Sequence, residues 1–168
     1  MMEHRLVIRK AEKSDYPFIL RVNRENVEVL SPMDEDRLSK LAEHAELVLL
    51  AEVDGQPAAF LIALREGVGF YDSENYLWFS RNYQRFLYID RVVIDEPYRR
   101  MGVGRALYEA VFRRAKETGV PYVTAEIDTI PYNAASLAYH EKSGFREVGQ
   151  QFVRSHTVKV SLQAAEVH

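Results

Sequence analysis

The chain has no cysteine among its 168 residues. That absence excludes disulfides and thiolate-bound zinc, and it excludes a route in which an acyl group rests on a cysteine sulfur. Long apolar runs are missing too, since no stretch approaches the roughly 20 residues needed to span a bilayer. The opening Met1-Met2-Glu3-His4-Arg5 lacks a signal-peptide core, so a cytoplasmic protein is expected. Charge of one sign is also scarce. Lys and Arg total 22 against 25 Asp and Glu, a formal charge of −3, so neither a nucleic-acid partner nor a membrane surface is expected. The histidines, His4, His44, His140, His156 and His168, show no close ligand spacing, so no metal is expected. No internal repeat or low-complexity linker interrupts the chain. An apolar content of 47% suits one globular domain over residues 1–168.

What is present is concentrated at Arg99-Arg100-Met101-Gly102-Val103-Gly104-Arg105. The stretch lies between an extended apolar segment, Phe86–Ile94, and an amphipathic helix beginning near Val103. Gly102 and Gly104 let backbone approach a ligand closely and take conformations other residues resist. The first turn of the helix offers unpaired N–H groups and the positive end of its dipole. Arg99, Arg100 and Arg105 add cationic pairing from the sides. The arrangement points to an anionic ligand bearing a diphosphate; its bland alternative is a tight turn and nothing more. It is neither a P-loop, having no Gly-Lys-Ser/Thr, nor a dinucleotide GxGxxG, because Leu107 occupies the third glycine position.

A second segment lies thirty residues on, from Asn133 to Phe145. Asn133 suits an N-cap, Ala134 to Lys142 are mostly good helix formers, and Gly144 is a C-terminal stop. Helical spacing puts Asn133, Ser136 and His140 on one polar stripe, with Leu137 and Tyr139 elsewhere. Short hydrogen-bonding groups and a histidine fit a ligand better than a merely wet helix face.

The two segments together resemble the GNAT superfamily of acyl-CoA-dependent N-acetyltransferases. Arg99, Gly102 and Gly104 match its Arg/Gln-x-x-Gly-x-Gly/Ala pyrophosphate loop, and Asn133, Gly144 and Phe145 match its second motif, in the right order. The resemblance extends over roughly Leu47–Phe152, and Tyr88-Ile-Asp-Arg-Val-Val-Ile94 looks like a poorly characterised bacterial branch. It implies an α/β (α+β) fold with a mixed, mostly antiparallel sheet of about seven strands flanked by about four helices. It also implies acetyl-CoA as acyl donor. Val92, Val93 and Ile94 would hold the pantetheine arm through backbone groups. Arg99, Arg100, Met101, Gly102, Val103, Gly104 and Arg105 would hold the pyrophosphate, with Asn133 and Ser136 nearby. The acceptor expected is a small-molecule primary amine attacked in a ternary complex, and a homodimer is compatible. The alternatives are a protein or peptide N-terminus as acceptor, or a non-catalytic acyl-CoA-binding or regulatory domain.

One departure concerns the acid. The family's tyrosine position, four residues before the glycine, holds His140, and Tyr139 is one step off, about 100° round the helix. Imidazolium can protonate a departing thiolate; alternatively His140 only contacts cofactor or caps a turn. Glu126 is the first choice of base for the incoming ammonium, because its position resembles one often acidic in the family. Asp128, which shares its strand face, Asp90 and water are the other candidates. Each acidic residue has a competing role as a structural ion pair, for instance Asp90 with a neighbouring arginine.

The expected elements are a strand Arg5–Arg9 and a helix capped by Ser14 or Asp15 that runs toward Leu30. A second helix over Asp34–Glu46 and a hairpin of Leu47–Val53 and Ala58–Leu64 follow. Beyond them lie a strand Tyr122–Asp128, the Asn133 helix, and closing strands Phe145–Val153 and His156–Leu162. Gly67–Arg85 is read as a long connection. Its Phe70, Tyr71, Tyr76, Trp78, Phe79 and Tyr83 are either an aromatic lid over the acceptor or rings packed on the core. Asn23, Glu25, Asn26, Glu28 and Asp34–Asp36 offer a polar rim that either attracts an ammonium or solvates a helix.

Overall fold

The computed structural model describes residues 3–26, 32–130, 134–154 and 157–168. Seven strands join in one sheet in the order β1-β2-β3-β4-β5-β7-β6. They are β1 (Leu6–Lys10), β2 (Leu47–Val53), β3 (Gln56–Arg65), β4 (Leu87–Ile94), β5 (Tyr122–Ile130), β6 (Arg146–Val153) and β7 (Val158–Glu166). The described helices are α1 (Tyr16–Arg24), α2 (Glu35–His44), α3 (Glu74–Asn82), α4 (Val103–Glu117) and α5 (Ala134–Lys142). The mixed, mostly antiparallel sheet agrees with the expectation from sequence. The chain divides into two compact units, residues 1–64 with 89–113 and residues 65–88 with 114–168.

In the first unit, Asp34 caps α2 by accepting from the Arg37 N–H at 2.8 Å, and the helix buries Leu38 and Leu41 completely. The β2–β3 hairpin turns through Asp54 (φ 52) and Gly55 (φ 80). Two consecutive left-handed residues match the twist of a two-residue hairpin. Helix α1 stops at Arg24, short of Leu30. Its end tightens where the Asn26 N–H reaches the Asn23 carbonyl and the Asn26 amide reaches the Val22 carbonyl at 2.8 Å. The polar rim also dissolves in part: Asn23 is fully buried, Glu25 pairs with Arg21 at 3.0 Å, and Glu28 lies outside the described residues.

The second unit contains α3, inside the segment read from sequence as a connection. No glycine or proline occurs between Tyr71 and Arg85, and Tyr76, Phe79 and Tyr83 recur at helical spacing. Tyr71, Tyr76 and Phe79 are buried, so those three rings pack the core and do not form a lid. Tyr76 sits edge-on to Tyr88 and Phe86, with centroids 5.6 and 5.8 Å apart. On its other side α3 meets β6. A Cβ on Gly149 would overlap the Trp78 indole, lying 2.9 Å from its Cη2, so the missing side chain lets the ring lie against the strand. Asn75 accepts from Gln151 at 2.8 Å on the same side.

Candidate functional site

The basic glycine turn belongs wholly to the first unit. Strand β4 ends at Ile94, and Asp95 opens a 3-10 turn over Glu96–Tyr98 by accepting from the Glu96 N–H at 3.1 Å. Arg21 pairs with Asp95 at 3.0 Å and steadies that turn. Arg99 then folds back so that its Nε donates to the Ile94 carbonyl at 3.3 Å. Arg100 and Gly102 take left-handed backbone, with φ of 66 and 78. The Gly102 carbonyl accepts from the Ala106 N–H at 3.1 Å, which is the first intrahelical bond of α4. The N–H groups of Val103, Gly104 and Arg105 therefore point out of the helix end, as an anion requires.

The two glycines serve different ends. Gly102 supplies a conformation, and nothing lies within 4 Å of a Cβ placed there. Gly104 has no positive φ, but its Cβ would stand 3.1 Å from Ile94 Cδ1, so it supplies close packing against the end of β4. Val103, Leu107, Val111 and Ala115 are buried along one stripe of α4 and hold the helix start in place. Arg99, Arg100 and Arg105 are exposed. Arg105 reaches Glu109 at 3.2 Å, but both side chains are more than half exposed, so that pair costs little to break.

Strand β4 pairs with β5 in parallel at Leu87↔Val123 and Tyr88↔Thr124. Val93 is buried while Val92 and Ile94 are part-exposed. The Asp90 carboxylate holds Arg91 Nε at 2.7 Å, with both side chains under 5% exposed. Arg91 Nη1 also donates to Asn23 Oδ1 at 3.0 Å. The ion-pair role weighed for Asp90 is the one its geometry shows.

The other candidates lie in the second unit. Tyr88, fully buried, donates its hydroxyl to Glu126 Oε1 at 3.0 Å. Tyr88 was not singled out from sequence; only the β4–β5 register brings the two together. On the same face of β5, Asp128 is pushed above the usual carboxylate range by burial, with Arg154 opposing.

His140 does not sit on a wet stripe. It is 6% exposed, with its ring edge-on to Phe145 at 5.0 Å and to Tyr139 at 5.6 Å. The Phe145 N–H reaches the His140 carbonyl at 2.9 Å and the Gly144 N–H reaches Glu141 at 3.1 Å, with Gly144 at φ 92. That is a Schellman cap, and the His140–Phe145 contact is the side-chain packing that accompanies it. Nδ1 donates to the Ser136 carbonyl at 2.7 Å, placing the lone pair of the neutral ring on Nε2. Burial pulls the His140 pKa below its ordinary 6.5, against the raising effect of that hydrogen bond. Ser136 Oγ stands 3.4 Å from the same nitrogen. Asn133 lies outside the described residues. Among the described residues no group of His, Asp and Glu is arranged to hold a metal, and no helix is long and apolar enough to cross a membrane.

The family model described as Acetyltransferase (GNAT) family matches residues 8–145. No curated protein matches the chain. Among solved structures, the ribosomal-protein-S18-alanine N-acetyltransferase of Escherichia coli is 21% identical, with a TM-score of 0.72 over 97% of this chain and 94% of that one. A putative acetyltransferase from Salmonella typhimurium, solved with its cofactor acetyl-CoA, is 19% identical, with a TM-score of 0.70 over 97% and 94%. A putative phosphinothricin N-acetyltransferase is 25% identical, with a TM-score of 0.70 over 98% and 99%. These likenesses are of fold, and 460 solved chains share it, so the fold alone selects no acceptor.

Proposed function

Since the chain belongs to the GNAT acetyltransferase family, and so transfers an acetyl group from acetyl-CoA, we propose that its acceptor is the primary amine of a small molecule. The observation that carries the donor half is the exposed start of α4 behind Gly102. Three outward N–H groups with Arg99, Arg100 and Arg105 around them are what a pyrophosphate needs. In this reading Met101 and Val103 complete that loop, and the backbone of Val92, Val93 and Ile94 at the end of β4 takes the pantetheine amides. Asn133, carried over from the family resemblance, and Ser136, placed on the same stripe by helical spacing, are the further cofactor contacts.

Transfer proceeds by direct attack, because the chain has no cysteine to carry an acyl group. The amine lone pair forms the N–C bond at the thioester carbonyl, the tetrahedral intermediate collapses, and the C–S bond breaks to release CoA thiolate. The ammonium loses one proton before attack, its nitrogen loses a second as the intermediate goes on to the amide, and one proton must reach the thiolate. Glu126 is the proposed base. Its carboxylate is oriented by the Tyr88 hydroxyl, which donates to Oε1 at 3.0 Å. His140 is the proposed acid in its imidazolium form. A His140→Ala enzyme with unchanged turnover would remove the acid role and leave the ring its place in the Schellman cap.

The test is a panel of small amines and peptide N-termini, read by CoA release with a thiol reagent. Turnover on small amines, falling about 10²- to 10⁴-fold in Glu126→Gln with acetyl-CoA affinity retained, is the expected result. Turnover confined to peptide N-termini would move the acceptor to proteins. Full turnover in Glu126→Gln would return the proton transfer to water.

A further inference from the structure

The second unit holds a cleft of about 570 Å³ that the acetyl-transfer reading does not use. One wall is the arch Glu66–Tyr71 and the other is α3 with the residues that follow it. That volume lies within the range of small-molecule sites, roughly 300–1,000 Å³. We propose that this cleft binds a small organic anion with an apolar, ring-sized body and a carboxylate.

The walls are held before any ligand arrives. The Tyr76 hydroxyl donates to the Arg65 carbonyl at 2.7 Å and accepts from the Val68 N–H at 3.0 Å. The arch is thereby pinned to α3 from both directions. The Tyr71 N–H closes it on the Val68 carbonyl at 3.2 Å, and the Tyr71 ring meets Tyr76 edge-on at 5.5 Å. A site fixed in this way loses little entropy on binding. The helix has two occupied sides: Asn75 and Trp78 face β6, while Tyr76, Leu77, Ser80 and Arg81 line the cleft.

The lining specifies the ligand. Val68, Leu77 and the Tyr83 ring give an apolar body something to cover, with Leu77 38% exposed, while buried Tyr71 and Tyr76 back the wall. Gly67 and Gly69 leave two positions of the arch without side chains, with nothing within 4 Å of a Cβ built on either. Only two lining residues are charged, Glu66 and Arg81. The Glu66 carboxylate is already taken: Oε1 accepts from Arg65 Nε and from the Phe86 N–H at 3.1 Å each, and Oε2 pairs with Arg65 at 2.9 Å. Arg81 has no ion-pair partner among the described residues. The charge left over in the cleft is therefore positive, and a planar guanidinium pairs best with a carboxylate.

The test measures binding without acetyl-CoA, so its outcome is separate from that of the acetyl-transfer reading. Phenylacetate and hexanoate are titrated by ligand-observed saturation-transfer NMR, with phenethylamine and 2-phenylethanol as the same body carrying opposite or no charge. Saturable binding of phenylacetate, about tenfold or more tighter than phenethylamine, is expected. Gly69→Phe, whose side chain enters open space from an unstrained backbone, should abolish it while circular dichroism and acetyl-CoA affinity stay as in the wild type. Arg81→Gln should weaken phenylacetate about tenfold and leave 2-phenylethanol unchanged. Binding of neither carboxylate, equal binding of phenethylamine, or binding untouched in both variants would overturn the proposal.

Discussion

Replacing each glycine of the basic turn by alanine separates two physical roles that look identical in sequence. At Gly102 the backbone has φ 78 and open space around a Cβ, so Gly102→Ala incurs backbone strain and no clash. An alanine held in the left-handed region costs about 1–2 kcal/mol. For a chain of this length each kcal/mol lowers Tm by about 2–4 °C, giving an expected drop of about 2–8 °C. Gly104 sits in the first turn of α4 with no positive φ, and its Cβ would meet Ile94 Cδ1 at 3.1 Å. There a helix-propensity gain of up to about 1 kcal/mol opposes a contact that the terminal methyl of Ile94 relieves by moving a few tenths of an ångström. Gly104→Ala should therefore stay within about 1 kcal/mol of wild type. Both variants disturb the N–H groups offered to the pyrophosphate, so each should weaken acetyl-CoA about 10- to 100-fold, the worth of one charge-assisted hydrogen bond. Urea unfolding and calorimetric titration of acetyl-CoA read the two effects independently. A Gly102→Ala protein as stable as wild type would refute the strain argument. Unchanged acetyl-CoA affinity in both would refute the cradle.

Three further predictions concern the groups around the site. Asp90→Ala removes the carboxylate 2.7 Å from buried Arg91 and should destabilise by about 3–5 kcal/mol in urea; a loss under about 1 kcal/mol would mean the pair is not structural. His140 has its folded pKa depressed below 6.5 by burial, so the unfolded chain binds more protons between the two values. The neutral ring's contribution is complete above pH 6.5 and is lost as pH falls through the folded pKa. The stability difference between wild type and His140→Gln should thus shrink on going from pH 7.5 toward acid, and a pH-independent difference would contradict the shift. Gly149→Ala forces a methyl into the Trp78 indole and should cost about 1–3 kcal/mol, with a change in the emission of Trp78, the chain's single tryptophan. Unaltered emission and stability would place the ring elsewhere.

How far the sequence could be read depended on the range of the interaction concerned. The turn at Asp54-Gly55, the start of α2 beside Asp34, the start of α4 behind Gly102 and the stop at Gly144 are set by residues within four or five positions of one another. They were legible for that reason. Helix α3 was legible in principle, since Tyr76, Phe79 and Tyr83 carry its period, but six aromatic residues in one segment fit a loop equally well until their burial was seen.

By itself, then, the sequence determined the order of the elements other than α3, the basic glycine turn and the exclusion of cysteine chemistry, all of which follow from residue type and local spacing. The tertiary structure decided which side chains meet. The β4–β5 register set Tyr88 on Glu126, and the packing of α1 brought Asn23 to Arg91 across 68 positions and fixed Asp90 as half of an ion pair. The fold also turned His140 inward. Helical periodicity gives the angle of a residue around its axis, but which angle is the buried one is set by what packs against the helix, and here that is Phe145 beyond the Gly144 turn.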